Sequence, residues 1–206
     1  MFENIFGKHI PNKIFSYKEY HDEFIKSVEN ADTSKFDDHE KEYHNYRTLN
    51  LQRTNRIAKT YKPSQEIIDH LNNLNVKQTW IVITENWCGD SAQILPYIAK
   101  FLETTDNIEM KIILRDDNLE FADEVIKEGN PRSIPKVLGY SENGELLFIW
   151  GARPKEAQAI VDNAKDEGKS KEEFSNELHL WYARNKGKAL EEEFIALLKR
   201  FEFYLN

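Results

Sequence analysis

The chain has 206 residues, of which 40% are hydrophobic, 12% aromatic and 31% charged, and its formal net charge is −8. This is a globular composition with an acidic surface, which argues against nucleic acid and anionic membrane as partners, since both reward clusters of Lys and Arg. No apolar run approaches the ~18 residues needed to span a bilayer, and the opening MFENIFGKHIPNK lacks the basic-then-apolar order of a secretory signal, so a cytoplasmic location is expected.

Residues 16 to 75 read as helical. Ser16 and Glu19 form a capping box, behind which Tyr17, Tyr20, Phe24 and Val28 recur at helical spacing. A polar helix is predicted from about Phe36 to Lys59, with Tyr43, Tyr46, Leu49 and Ile57 as a thin apolar stripe, and Pro63 and Ser64 open a third that carries Ile67, Leu71 and Leu74. The period then changes. TWIVIT (79 to 84) and MKIILR (110 to 115) are short runs rich in β-branched residues, as buried parallel strands are, and SAQILPYIAKFLE between them has a helix pattern. Strand, helix and strand at this spacing make a βαβ unit.

A polar helical stretch from Leu119 to Lys127 precedes KVLGY and ELLFIW, joined by SENG, whose Asn143 and Gly144 are the strongest hairpin signal in the chain. The KEGNP stretch reads as a turn. From about Pro154 the pattern is helical again: Ala157, Ile160 and Val161 share a face, Ser170 boxes with Glu173 ahead of Phe174, Leu178, Trp181 and Tyr182, Gly187 breaks that helix, and Leu190, Phe194, Leu197 and Phe201 carry the last one. The expected organisation is an N-terminal helical extension (1–64), an α/β domain with a mixed sheet (65–166) and a C-terminal helical extension (167–206).

The only cysteine, Cys88, lies in TENWCGDSAQ, where the first parallel strand ends and a helix begins. Open α/β sheets place their chemistry at this edge. A thiol there faces unpaired amides and the positive end of the helix dipole, which is expected to bring it from ~8.5 to somewhere near ~7 to 8. One cysteine cannot form an internal disulfide, so any chemistry at Cys88 needs a partner thiol, a metal or a small molecule. Glu40 and His44 have the i, i+4 spacing of a metal pair, but their acidic surroundings favour a solvated helix face. No phosphate-cradling glycine loop and no Ser, His, Asp order is present.

WCGDS resembles the WCGPC loop of the thioredoxin family, and further features fall where that family has them. Pro96 matches the proline inside the active-site helix, RSIPKV (132 to 137) matches the cis-proline segment, Gly151 matches a glycine lining the same surface, and the order βαβ then ββα completes the fold. The match covers about residues 65 to 166. More specifically, the chain resembles a bacterial branch of thioredoxin-like proteins in which the loop reads WCGD followed by a small residue, with helical extensions on both ends. The resemblance implies a thioredoxin fold with added N- and C-terminal helices. It further implies Cys88 as the reacting thiol, Trp87, Gly89, Asp90 and Ser91 as its loop, and Ile134, Pro135 and Gly151 as substrate-positioning residues, with no cofactor and no metal.

Departures from the family pattern narrow that implication. Ser91 replaces the resolving cysteine, so Cys88 can attack a disulfide but cannot release it unaided, and Val82 replaces the buried acid that assists the resolving step. The expected partner is a protein or low-molecular-weight thiol or disulfide, with an external thiol completing the cycle. Asp90 opposes a thiolate beside it, and Arg132 or Arg115 is expected to pair with it. Ser91, one turn away, can donate to the thiolate. CGDS is also similar to the CGFS loop of monothiol glutaredoxins, although the preceding tryptophan and the Ser-Ile-Pro segment are thioredoxin-like. The competing class is a redox-inactive module that uses the cis-proline groove for binding. A thiol pKa at or above ~8.5 with slow labelling favours that class.

Overall fold

The computed structural model describes residues 10–125 and 133–202. Arg132, Phe201 and the KEGNP turn lie outside the residues or side chains described. In chain order the elements are β1 (Phe15–Ser16), α1 (Tyr17–Glu29), a 3-10 turn (Thr33–Lys35), α2 (Asp38–Thr60), α3 (Gln65–Asn72), β2 (Gln78–Thr84), α4 (Gly89–Leu102) and β3 (Ile108–Leu114), followed by α5 (Leu119–Val125), β4 (Lys136–Ser141), β5 (Leu146–Gly151), α6 (Lys155–Asp166), α7 (Lys171–Asn185) and α8 (Lys188–Glu202). The sheet order is β1-β3-β2-β4-β5, with β2 and β3 parallel and the other pairs antiparallel. This is the mixed sheet of a thioredoxin fold, with helices added at both ends.

Local chemistry accounts for most boundaries. Both capping boxes form: Ser16 and Ser170 each accept from the amide three residues on, while Glu19 and Glu173 reach back. A third box, Asp37 with Glu40, opens α2 and occupies the Glu40 carboxylate. Gly144, at φ 84°, turns the β4–β5 hairpin. Two elements exceed the sequence expectation. The strand β1 is only two residues long and is held by β3, and the Thr33–Lys35 turn is fixed by Asp32 accepting from the Ser34 amide.

The core forms on both faces of the sheet because β2 is buried along its whole length. On one face Trp80, Val82, Ile112 and Val137 meet Ile94, Ile98 and Phe101 of α4, Phe24 of α1, Leu51 and Ile57 of α2, and Leu190, Phe194 and Leu198 of α8. The Phe194 ring packs at a tilt against Trp80 and Trp150, with ring centroids 5.1 Å and 5.2 Å apart. The helices outside residues 65–166 therefore bury their apolar faces in the same cluster as the sheet. The other face holds Ile81, Ile83, Ile113, Leu138, Tyr140, Phe121 and Cys88.

Candidate functional site

The edge where β2 ends and α4 begins is built from four elements. Cys88 is the N-cap of α4, with extended backbone (φ −77°, ψ 117°), and its amide donates to the Glu85 carbonyl while its carbonyl accepts from Ala92. The Cys88 thiol donates to the Ile134 carbonyl at 3.3 Å, and the Ile134–Pro135 bond that follows is cis. Pro96 sits inside α4, one turn after Ala92. Trp87 lies edge-on to Tyr43 of α2, donates to Asp116 and is covered by the Arg115 guanidinium.

The thiol is 8% exposed and is pushed up to about 11, first by burial and then by Asp90, against the Ser91 hydroxyl and the Ser91 and Asp90 amides, which favour the charged form. This corrects the expectation of ~7 to 8: helix-end stabilisation of ~1 to 2 kcal/mol is outweighed by desolvation, because the site is roofed. Ser91 Oγ, in a residue 2% exposed, has no hydrogen-bond partner while the thiol is neutral.

The roof comes from the terminal helices. In α2, Asn50 donates to the Asn86 carbonyl and holds Arg53 through its side-chain oxygen. A β-carbon at Gly89 would lie 3.1 Å from His179 Cε1 of α7 and 3.7 Å from an Arg53 nitrogen, so glycine is what lets these side chains rest on the loop backbone. Burial, then Arg53, pushes His179 down to about 4, leaving a neutral imidazole whose Nδ1 is buried without a partner. Tyr182 Oη, also from α7, donates to Asp90 at 2.8 Å.

The ion-pair partner of Asp90 is Arg153, at 2.6 Å, two residues beyond β5. Arg115, one of the two arginines expected there, instead pairs with Asp116 and covers Trp87. Arg132 lies outside the described residues. Burial nevertheless raises the Asp90 carboxyl above its ordinary value, with Arg153, Tyr182 and Arg53 pulling it back. Gly151 packs against the cis-proline segment: a β-carbon there would fall 2.2 Å from the Pro135 carbonyl oxygen. Trp150 donates to Glu193 of α8 and packs on Phe194, so it belongs to the core.

Sequence reasoning missed Arg153, Tyr182, His179, Arg53 and Asn50. Arg153 had a usable signal, since it follows Gly151 at the same predicted edge. The others reach the loop only through tertiary packing.

Glu85 is a second buried acid near the loop. It is 6% exposed, accepts from the Asp116 amide at 2.7 Å and is raised to about 7, chiefly by burial. The folded state therefore keeps this proton to higher pH than the unfolded chain, so the contribution to stability falls as pH rises from the ordinary glutamate value to about 7. The full shift is equivalent to about 3 kcal/mol, and about 1–2 kcal/mol is expected once solvent screening is allowed for. Glu85→Gln keeps an oxygen for the Asp116 amide, so it is expected to raise stability by about that amount near pH 8 and to leave it unchanged near pH 4 in urea titrations.

A cis-proline facing the N-cap of a helix, at the carboxyl edge of a βαβ–ββα sheet, defines the class as thioredoxin-fold. A family model for thioredoxin matches residues 37–165, more than half of the chain, and the protein belongs to that family. Two solved structures resemble it over 90% of its length. One is a protein of unknown function from Pseudomonas aeruginosa (18% identity, TM-score 0.54, 98% of that chain covered) and the other an HIV epitope scaffold (18% identity, TM-score 0.53, 98% covered). At this identity the likeness is one of fold. No curated protein matches the chain. Among the described residues no helix is long and apolar enough to cross a membrane.

Proposed function

We propose that this is a cytoplasmic thioredoxin-like monothiol protein in which Cys88 forms a mixed disulfide and an external thiol releases it. The sheet unit at residues 65–166 carries the thiol, and the helices on either side cover it. The observation that supports this reading most is the contact of Cys88 Sγ with the Ile134 carbonyl ahead of cis Pro135, which puts the sulfur at the α4 amides that favour a thiolate or a departing sulfur.

The raised pKa limits the rate. A thiol titrating at about 11 is about 10⁻⁴ thiolate at neutral pH, roughly 300-fold less than an unperturbed cysteine. Its greater intrinsic nucleophilicity recovers roughly tenfold of that. Exchange is then one to two orders of magnitude slower than for a free cysteine, a rate suited to a slow or single-turnover role.

The same raised pKa favours the second reading, a redox-inactive module. Against it stands the burial of Ile134 and Pro135, since a groove that pairs with an extended peptide must expose its backbone edge. Iodoacetamide labelling against pH, with intact-mass detection of mixed disulfides, separates the two. Labelling is expected to rise steadily to about pH 11 and to be absent in Cys88→Ser. A slow mixed disulfide, released by added thiol, sustains exchange, while its complete absence after prolonged incubation leaves only the module.

A further inference from the structure

We propose that the covered site over Cys88 selects a low-molecular-weight, carboxylate-bearing disulfide, with Arg53 as its principal anion-binding residue. This inference rests on the exchange reading above and names its substrate class. The protein is strongly acidic overall, yet the groups gathered over the α4 N-terminus are cationic. Arg153 is matched by Asp90. Arg53, held by Asn50 and 3.7 Å from where a Gly89 side chain would begin, has no carboxylate within ion-pair distance among the described residues.

Two guanidiniums to one carboxylate around a helix N-terminus is a site short of negative charge. One neutral group points the same way: Ser91 Oγ is buried at this edge without a hydrogen-bond partner. Size follows from the roof. The α2 and α7 side chains over Gly89 and Asp90 keep a folded partner from the sulfur, whereas a small molecule needs only to displace side-chain ends. Arg53 is the residue to bind a carboxylate there, because a guanidinium offers it two parallel donors.

In the step this site would serve, the Cys88 thiolate attacks one sulfur of the disulfide RSSR, the Cys88–S–SR bond forms as the S–S bond breaks, and RS⁻ leaves and takes up a proton. Cys88 is oxidised to the mixed disulfide and one RSH is the reduced product.

The test compares glutathione disulfide, which carries carboxylates, with cystamine, which carries none. Mixed-disulfide formation is followed by intact mass, and each rate is divided by that of a free cysteine peptide. Glutathione disulfide is expected to be favoured at least about tenfold, with the preference falling at least about fivefold in Arg53→Gln and surviving in Arg53→Lys, both variants being checked for an unchanged melting transition. A normalised ratio near one, or one that Arg53→Gln leaves intact, overturns the inference while exchange itself stands. If neither disulfide reacts, the exchange reading fails on its own, and calorimetry of reduced glutathione with Cys88→Ser decides the anion site: Arg53-dependent heat sustains it and none overturns it.

Discussion

Asp90→Ala is expected to destabilise the protein by about 3–5 kcal/mol, the range for removing one partner of a buried ion pair, and to bring the Cys88 thiol down from about 11. Both effects come from one carboxylate. Asp90 is 8% exposed, pairs with Arg153 at 2.6 Å and accepts from Tyr182 at 2.8 Å. Its removal leaves a largely covered guanidinium and a buried phenol facing each other across the space it filled. It is also the second-largest cause, after burial, of the raised thiol pKa, so the loss of its charge favours the thiolate. A less stable protein with a more reactive cysteine is an unusual combination, and loosening alone would not produce it in the native baseline. Urea titration gives the first quantity, and iodoacetamide labelling against pH, under conditions where the variant is fully folded, gives the second. Tyr182→Phe, which removes one donor and no charge, is expected to cost about 1–2 kcal/mol. A change below about 1 kcal/mol in Asp90→Ala would mean that desolvation of Asp90 already cancels its attraction to Arg153.

How far this site was legible depends on how locally each part is specified. The boxes at Ser16 and Ser170, the Asn143–Gly144 turn and the β-branched runs of β2 and β3 are each settled within a few residues, and the structure has all of them. The contact between Cys88 and Ile134 spans 46 positions and was readable only through the resemblance of WCGDS and RSIPKV to the thioredoxin pattern. Tyr182, 92 positions from Asp90, matches nothing in that pattern, because it belongs to a helix that thioredoxins lack. That gap carried the pKa error with it: the helix dipole is visible in sequence, but the roof that desolvates the thiol is not. β1 was invisible for a related reason, being two residues long and defined by β3 rather than by its own composition.

Gly151→Ala is expected to be nearly as damaging as the loss of Asp90, at about 3–5 kcal/mol, combining overpacking of ~1–3 kcal/mol with backbone strain of similar size. Gly151 has φ +123°, a conformation that side chains rarely adopt, and a β-carbon there would fall 2.2 Å from the Pro135 carbonyl oxygen and 3.3 Å from Lys136 Cα. Both neighbours are backbone, so no rotamer change relieves the clash. The β4–β5 ladder, which pairs Lys136 with Gly151, must part at this end, and the Lys136 ammonium loses its acceptor on Gly151. Gly168→Ala is the control that isolates the space term. Gly168 also has positive φ (+70°), but a β-carbon there meets nothing within 4 Å, so only conformational strain of about 1 kcal/mol is expected. The difference between the two variants in urea titration measures how tightly β5 is packed against the proline segment. Because that packing sets where the Ile134 carbonyl stands, Gly151→Ala is also expected to release the Cys88 thiol from its acceptor and speed its labelling in the folded state. Equal stability losses at the two glycines would show that β5 can move away from Pro135 at little cost, and the close approach at Gly151 would then not be what holds the sulfur in place.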